Sequence, residues 1–285
     1  MSANTAQSKQ MSSDQKGKLF QWAAGIVLTI GGILFLLPFI WMILSSFKPE
    51  SEVVRIPPTL WPNEFTLDNF KNLFVNMNFG VYLKNTLIII LFSFFGLFLN
   101  AMAGFAFAKY KFKGKQTTFM IVLATMMIPG QVTMIPVYLI LNYLNLTNTM
   151  IGIVLPTMVG AFNIFLFRQF MSTIPNELLE ATRLDGASEF RILMQIALPI
   201  SKPIIAVQAI LTFIAGWNSF LWPLIIANDE SLYTLSVGLS LLKGQYGGNY
   251  ALQMAGATFM VVPIMAIFIY FQKHIIENFS ISGMK

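Results

Sequence analysis

An all-α integral membrane fold with six transmembrane helices is the class this sequence predicts, and three observations predict it. Only 11% of its 285 residues are charged while 56% are hydrophobic, against roughly a quarter charged in a soluble domain. Mean hydropathy is +0.68. The charges gather between long runs that contain none, and six spans of ~20 residues with short connections account for the length. Too few charges remain to clothe a water-facing surface, so a soluble enzyme is excluded.

The elements follow in order. Residues 1–18 are polar and read as a flexible cytoplasmic tail. From Leu19 to Phe47 no charge occurs over 29 residues. That run is too long for a signal peptide's apolar core and long enough to span, so an uncleaved first span is predicted at about 20–45. An external loop follows over 46–82, with Lys48, Glu50, Glu52, Arg55, Glu64, Asp68 and Lys71, and with prolines at 49, 57, 58 and 62 that break regular structure. Within it, Thr66 is placed to cap a short amphipathic helix reaching Phe74.

The second span is predicted at 83–108. Lys109, Lys111, Lys113 and Lys115 follow at once. Gln116 to Phe167 is then free of charge for 52 residues, too long for one helix across a ~30 Å hydrocarbon layer. The polar stretch Asn142–Thr149 divides it into spans at about 117–141 and 150–168. Pro129-Gly130 and Pro136 lie in the first of these and free backbone carbonyls, so that helix should kink or break. Spans five and six are placed at 203–227 and 251–272, joined by a loop over 229–250.

Orientation follows from Lys and Arg. With an inward N-terminus, segments 1–18, 109–116, 168–202 and 272–285 hold 3, 4, 4 and 2 of the 18. The outer side holds five: Lys48, Arg55, Lys71, Lys84 and Lys243. Both termini are therefore expected inside. The net charge of +6 is explained by these cytoplasmic anchors. Nucleic acid is not, since the bases alternate with apolar runs and form no polar face.

Several chemistries are excluded. There is no cysteine, and His274 is the single histidine, so neither a thiol nucleophile nor a Cys- or His-rich metal site is available. No Gly-x-x-x-x-Gly-Lys-Ser/Thr loop occurs. Gly114-Lys115 lacks the upstream glycine and the hydroxyl residue, so no ATP is expected to bind here. The span interiors carry no ionisable residue, whereas ion-coupled carriers commonly need them. Asn163, Trp217, Asn218 and Trp222 are candidate lining for a substrate path, neutral amides and aromatic faces being the groups that bind sugars. Helix–helix hydrogen bonding and interface anchoring are the alternative reading of the same residues. Gly104 and Ala108 in span two form a small-x-x-x-small pair that suits close packing, either on this chain or on a second one.

The loop over 173–202 reads TIPNELLEATRLDGASEFRILMQIALPISK. Pro175 suits the first turn of a helix and Glu177 its positive end. Leu178, Leu179, Ala181 and Leu184 recur at three to four residues, and Asp185-Gly186 ends the helix. A second helix should start near Ala187 and run to Pro199. The pair is too short to fold alone and should rest on something else.

Here the sequence resembles a known family. Glu180-Ala181-Thr182, Gly186 four residues later, and Ile196-x-Leu198-Pro199 look like the EAA loop of binding-protein-dependent ABC importers, with Thr182 in place of the second alanine. Ser46–Glu50, Pro57-Pro58, Thr66–Phe70, Gly216–Leu224, Tyr233-Thr234-Leu235, Gly244-Gln245-Tyr246-Gly247 and Met254–Ala257 resemble the maltose-type carbohydrate permeases, second-permease type, over residues ~20–285. The resemblance implies a type I importer-like fold. It implies that Glu180, Ala181, Thr182, Gly186, Leu198 and Pro199 couple this chain to an ATPase. Two such ATPase subunits, holding ATP-Mg, a second homologous permease and an extracytoplasmic sugar-binding protein are the implied partners, with Gly244, Gln245, Tyr246 and Gly247 as candidate contacts for the last. No cofactor is expected in this chain. The rivals are an ion-coupled sugar carrier and a membrane enzyme using Asp185, Glu189 or His274.

Overall fold

The computed structural model describes the backbone of residues 2–245 and 248–282 and the side chains of 20–242 and 248–272. Two compact units divide the chain, Met1–Phe70 with Asn249–Thr258, and Lys71–Gly248 with Phe259–Lys285. Among the described residues the regular elements are all helical.

In the first unit, α1 (Ser2–Ser46) carries Pro38 inside it. Its apolar part, Phe20–Ser46, has a mean hydropathy of 2.5 and is long enough to cross a bilayer. The polar segment expected as a tail is continuous with this helix from Ser2. No proline interrupts it. After α1 come α2 (Glu50–Val53) and the start of α3 (Asp68–Asn76). Thr66 Oγ1 accepts from the Asp68 N–H at 3.1 Å, as the capping expectation required.

The intervening proline-rich segment is held by buried polar groups. The Lys48 ammonium donates to the Thr59 carbonyl and lies 4.9 Å above the Trp41 ring. The Glu52 carboxylate accepts from Thr59 Oγ1 at 2.6 Å and from the backbone N–H groups of Asn63 and Glu64 at 3.0 and 3.3 Å. Asn69 Nδ2 donates to the Ser46 and Lys48 carbonyls at 3.0 and 2.8 Å. Glu50 accepts from the Ala251 N–H at 2.7 Å, at the start of the helix that begins with Tyr250. Lys48 and Glu52, the buried charges of this segment, are satisfied in this way, which offsets the cost of burying them.

The second unit is built around α4 (Phe79–Lys109). It is followed by α5 (Lys115–Thr125) and α6 (Gly130–Tyr143), which are bent by 103° at their junction. The expected third span is therefore broken, and Pro129, which lacks an N–H, stands at the break. Pro136 lies inside α6 without ending it. A fourth span is assembled from α7 (Met150–Val154), a 3₁₀ turn and α8 (Ala161–Ser172). Asn100 fastens the break between them, donating to Met158 O at 3.3 Å and accepting from the Gly160 N–H at 3.1 Å.

Small residues set how closely α4 and α8 approach. A Cβ at Gly96 would collide with Met158 O, and one at Gly104 with Phe167 Cβ. The Gly104 pair thus packs against this chain's own α8. Among the described residues five helices are long and apolar enough to cross a membrane, and six if α5 and α6 are one span.

Candidate functional site

The loop over 173–202 folds as α9 (Asn176–Leu184), α10 (Glu189–Ile192), a π-helical turn at Leu193–Ala197 and α11 (Leu198–Ile200). α9 closes on Gly186, whose φ is +80°. The Gly186 N–H donates to Arg183 O at 3.0 Å and the Ala187 N–H to Thr182 O at 3.2 Å. These two bonds make a Schellman turn, which requires the left-handed conformation that glycine adopts most cheaply. Ser188 then caps α10 by accepting from the Arg191 N–H, so the second helix starts at Glu189 and not at Ala187. The π turn precedes Pro199, where a proline denies the helix its regular i→i−4 bond.

Apolar residues anchor the pair. Leu179, Ile192, Leu193 and Ala197 are buried in one cluster with Phe105 of α4 and with Phe167 and Met171 of α8. Burying a leucine of this kind contributes about 2 kcal/mol. The opposite side is open. Glu180, Ala181, Gly186 and Pro199 are exposed, and Thr182 and Leu198 are half-buried. Leu184 is 89% exposed and Phe190 57%. Thr182, the departure from the family pattern, donates its hydroxyl to Leu178 O at 2.8 Å and so stays within its own helix.

Charge closes the turn between the helices. Arg183 Nε and Nη2 donate to the two oxygens of Glu189 at 2.7 and 3.1 Å, a bidentate pair. That bonding holds the Glu189 carboxyl below its ordinary range against the effect of burial, and it holds the Arg183 guanidinium above its own. The Tyr110 phenol, just past α4, is pushed up to about 12, first by desolvation and then by hydrogen bonding to Glu189. Lys109 Nζ donates to the carbonyls of Ser172 and Ile174 and to Asn176 Oδ1, the last at 3.0 Å. In the sequence Lys109 stands out only as a cytoplasmic charge. Its acceptors are mostly backbone carbonyls, which leave no mark in a sequence.

The remaining predicted site residues are dispersed. α12 (Lys202–Trp217) and α13 (Leu221–Ile226) are separated by a break, and Asn218 is exposed at it. Asn163 is half-buried beside Gly160 at the start of α8. Trp217 and Trp222 are instead 4% and 9% exposed. Their indole N–H groups donate to Met260 O at 2.9 Å and to Gly152 O at 3.3 Å, so helix packing accounts for both. The segment expected as a loop over 229–250 contains α14 (Leu235–Gln245), with Leu235, Val237 and Leu242 buried. Gly244 and Gln245 end α14 in backbone with undescribed side chains, and Tyr246 and Gly247 lie outside the described residues. The last of the described helices is α15 (Tyr250–Ser282).

Residues 96–280, which include the whole of the α9–α11 loop, match the model of the binding-protein-dependent transport system inner membrane component. The chain belongs to that family. Within it, the chain is 37% identical over 260 residues to the arabinooligosaccharides transport system permease protein AraQ of Bacillus subtilis (strain 168), covering 89% of this chain and 92% of that one. The AraQ of Halalkalibacterium halodurans is 35% identical over 274 residues, at 94% and 97% coverage. The lactose transport system permease protein LacG of Rhizobium radiobacter is 29% identical, at 88% and 92%. The fold matches the crystal structure of a bacterial ABC transporter involved in the import of the acidic polysaccharide alginate, with a TM-score of 0.80 at 23% identity, covering 90% of this chain and 96% of that chain. Family membership makes this chain a multi-pass membrane permease subunit and removes the ion-coupled carrier reading. Glu189, one of the residues raised for a membrane enzyme, is engaged by Arg183, and Asp185 forms the C-cap of α9.

Proposed function

We propose that this permease imports a neutral sugar or oligosaccharide, delivered by an extracytoplasmic binding protein and driven by two ATPase subunits that hold ATP-Mg. The observation that carries this reading is the α9–α11 loop: one side buried on α4 and α8, the other presenting Glu180, Ala181, Leu184, Gly186 and Phe190 exposed, with nothing among the described residues to cover them. A short helix seated in a partner's groove transmits rigid-body motion to the helices it rests on. In this reading the loop and both termini are cytoplasmic, and a homologous second permease completes the path.

The substrate class is supported in two ways. The arabinooligosaccharide and lactose permeases are similar over nearly the whole chain. Similarity at 30% extends to the sn-glycerol-3-phosphate permease UgpE of Brucella abortus, but a phosphate-bearing substrate calls for Arg or Lys along its path. The span interiors here hold only neutral polar groups, and Asn163 and Asn218 remain candidates to meet a sugar hydroxyl.

The test is uptake in proteoliposomes holding both permeases and the ATPases. Arabino-oligosaccharide or another neutral sugar should enter only with ATP on the ATPase side and the binding protein on the other. Import without either refutes the proposal.

A further inference from the structure

Resting on the coupling reading above, we propose that Lys109 and Tyr110 are positioning residues, which fix the tilt of the α9–α10 pair against α4 so that a displacement of the pair carries α4 and α8 with it. The two residues are adjacent at the end of α4 but reach different parts of the loop. The Lys109 ammonium carries three N–H donors and meets three acceptors: Ser172 O at the end of α8, Ile174 O in the connection, and Asn176 Oδ1 in the first turn of α9. The last carbonyls of a helix lack partners within it, so one side chain closes α8 and fastens the entry to α9. Tyr110 turns the other way. Its ring packs edge-on against the buried Phe105 at 5.5 Å and joins the apolar cluster that buries Leu179 of α9 and Ile192 of α10. Glu189, the first residue of α10, is held by Arg183 in the last turn of α9, at 2.7 Å.

Two attachment points decide the mechanics. With one, the helix pair would pivot about its apolar contacts, which are non-directional and tolerate sliding. With Lys109 pegging the start of α9, the Tyr110 ring wedged in the cluster beneath both helices and the Arg183–Glu189 pair tying one helix to the other, the pair resists pivoting. Lys115 Nζ adds a brace, donating to the Tyr110 carbonyl at 2.8 Å and so holding the chain just past α4 in place. The basic residues that follow span two therefore include two that work as hydrogen-bonding hardware.

The experiment uses the complete transporter in proteoliposomes and reads sugar imported per ATP hydrolysed. For Lys109→Ala, ATPase subunits should still copurify and binding-protein-stimulated hydrolysis should stay within about twofold of the parent, while import per ATP falls at least about fivefold, the lower end of typical coupling factors. Lys109→Arg, which keeps charge and donors, should recover most of that loss. An unchanged ratio overturns the proposal, and so does loss of the ATPase subunits from Lys109→Ala, since that would make Lys109 a docking residue. If Lys109→Ala fails to insert, Tyr110→Phe carries the test because it removes one hydroxyl only. It should lower the ratio about twofold and be non-additive with Glu189→Gln, as groups in one network are; additivity overturns the proposal. If the parent chain itself brings down no ATPase, it is the coupling reading that falls.

Discussion

The first loop, over 46–82, and the loop over 173–202 are built inside out with respect to each other. In the first, two opposite charges point inward, Lys48 at 1% exposed and Glu52 at 7%, while Ile56, Trp61 and Phe65 are largely exposed. In the second, aliphatic side chains point inward and the charges outward, with Leu179 and Ile192 buried and Glu177, Glu180 and Asp185 exposed. A loop held by a hydrogen-bonded knot keeps its shape chiefly through its own directional bonds. A loop held by apolar anchors keeps its shape only where it rests. The first suits a fixed platform; the second suits a part that must move together with the helices beneath it.

The largest effect should come from removing the anchor of the second loop. Leu179→Asp places a charge where the side chain is 1% exposed; even truncating a buried leucine to alanine costs about 2–5 kcal/mol. Uptake should fall below detection, and trypsin should cut at Arg183 in a complex whose spans remain inserted. The neighbouring Leu178→Ala, at a residue 41% exposed, should leave proteolysis unchanged. Equal behaviour of the two would remove the distinction between anchored and outward faces.

A smaller effect is expected at the turn. Apart from its own chain neighbours, no atom of the described residues lies within 4 Å of where a Cβ on Gly186 would stand, so a substitution there costs mainly backbone strain, roughly 1–2 kcal/mol for an L-residue in the left-handed region. Gly186→Asp adds that strain and a charge to the outward face, and should lower transport about tenfold, the equivalent of 1.4 kcal/mol. Gly186→Asn keeps the residue neutral and tolerates the conformation better, so it should recover most of the rate. Wild-type uptake and coupling in Gly186→Asp would detach this turn from the transport cycle.

The legible parts of this molecule were those written by local rules. Charge-free runs marked the spans, Pro129 marked the break between α5 and α6, and Gly186 marked the end of α9, because each acts on its own stretch of backbone. What escaped the reading was long-range pairing. Trp217 and Trp222 were open to a sugar path or to packing and anchoring, and the partners of their N–H groups, carbonyls 43 and 70 residues away, could not be read. Lys109 finds its acceptors 63 to 67 residues on. A backbone carbonyl has no residue identity, so no pattern announces it. α14 escaped for another reason: its 11 residues are too short to span, and the glycines near its end favour a loop.

The smallest effect concerns pH, and it asks whether the two loops differ in their sensitivity to acid. Both depend on a carboxylate held below its ordinary range, Glu52 chiefly by the Thr59 hydroxyl and the Asn63 N–H, Glu189 chiefly by Arg183. A carboxyl with a lowered folded pKa binds fewer protons folded than unfolded. It therefore contributes stability that is fully present above its unfolded value, near 4.3 for Glu, and lost as pH falls through the folded value. Neither loop should loosen between pH 8 and about 5. Hydrogen-exchange protection of the Asn63 and Ala187 amides, corrected for the intrinsic rate, should stay within about twofold over that window. Below it the first loop should respond more sharply, since protonating Glu52 takes acceptors from Thr59, Asn63 and Glu64 together, whereas the second loop keeps its apolar anchors. Loss of Ala187 protection at a higher pH than Asn63 would reverse the order of the two loops and place the weaker attachment at α9 and α10.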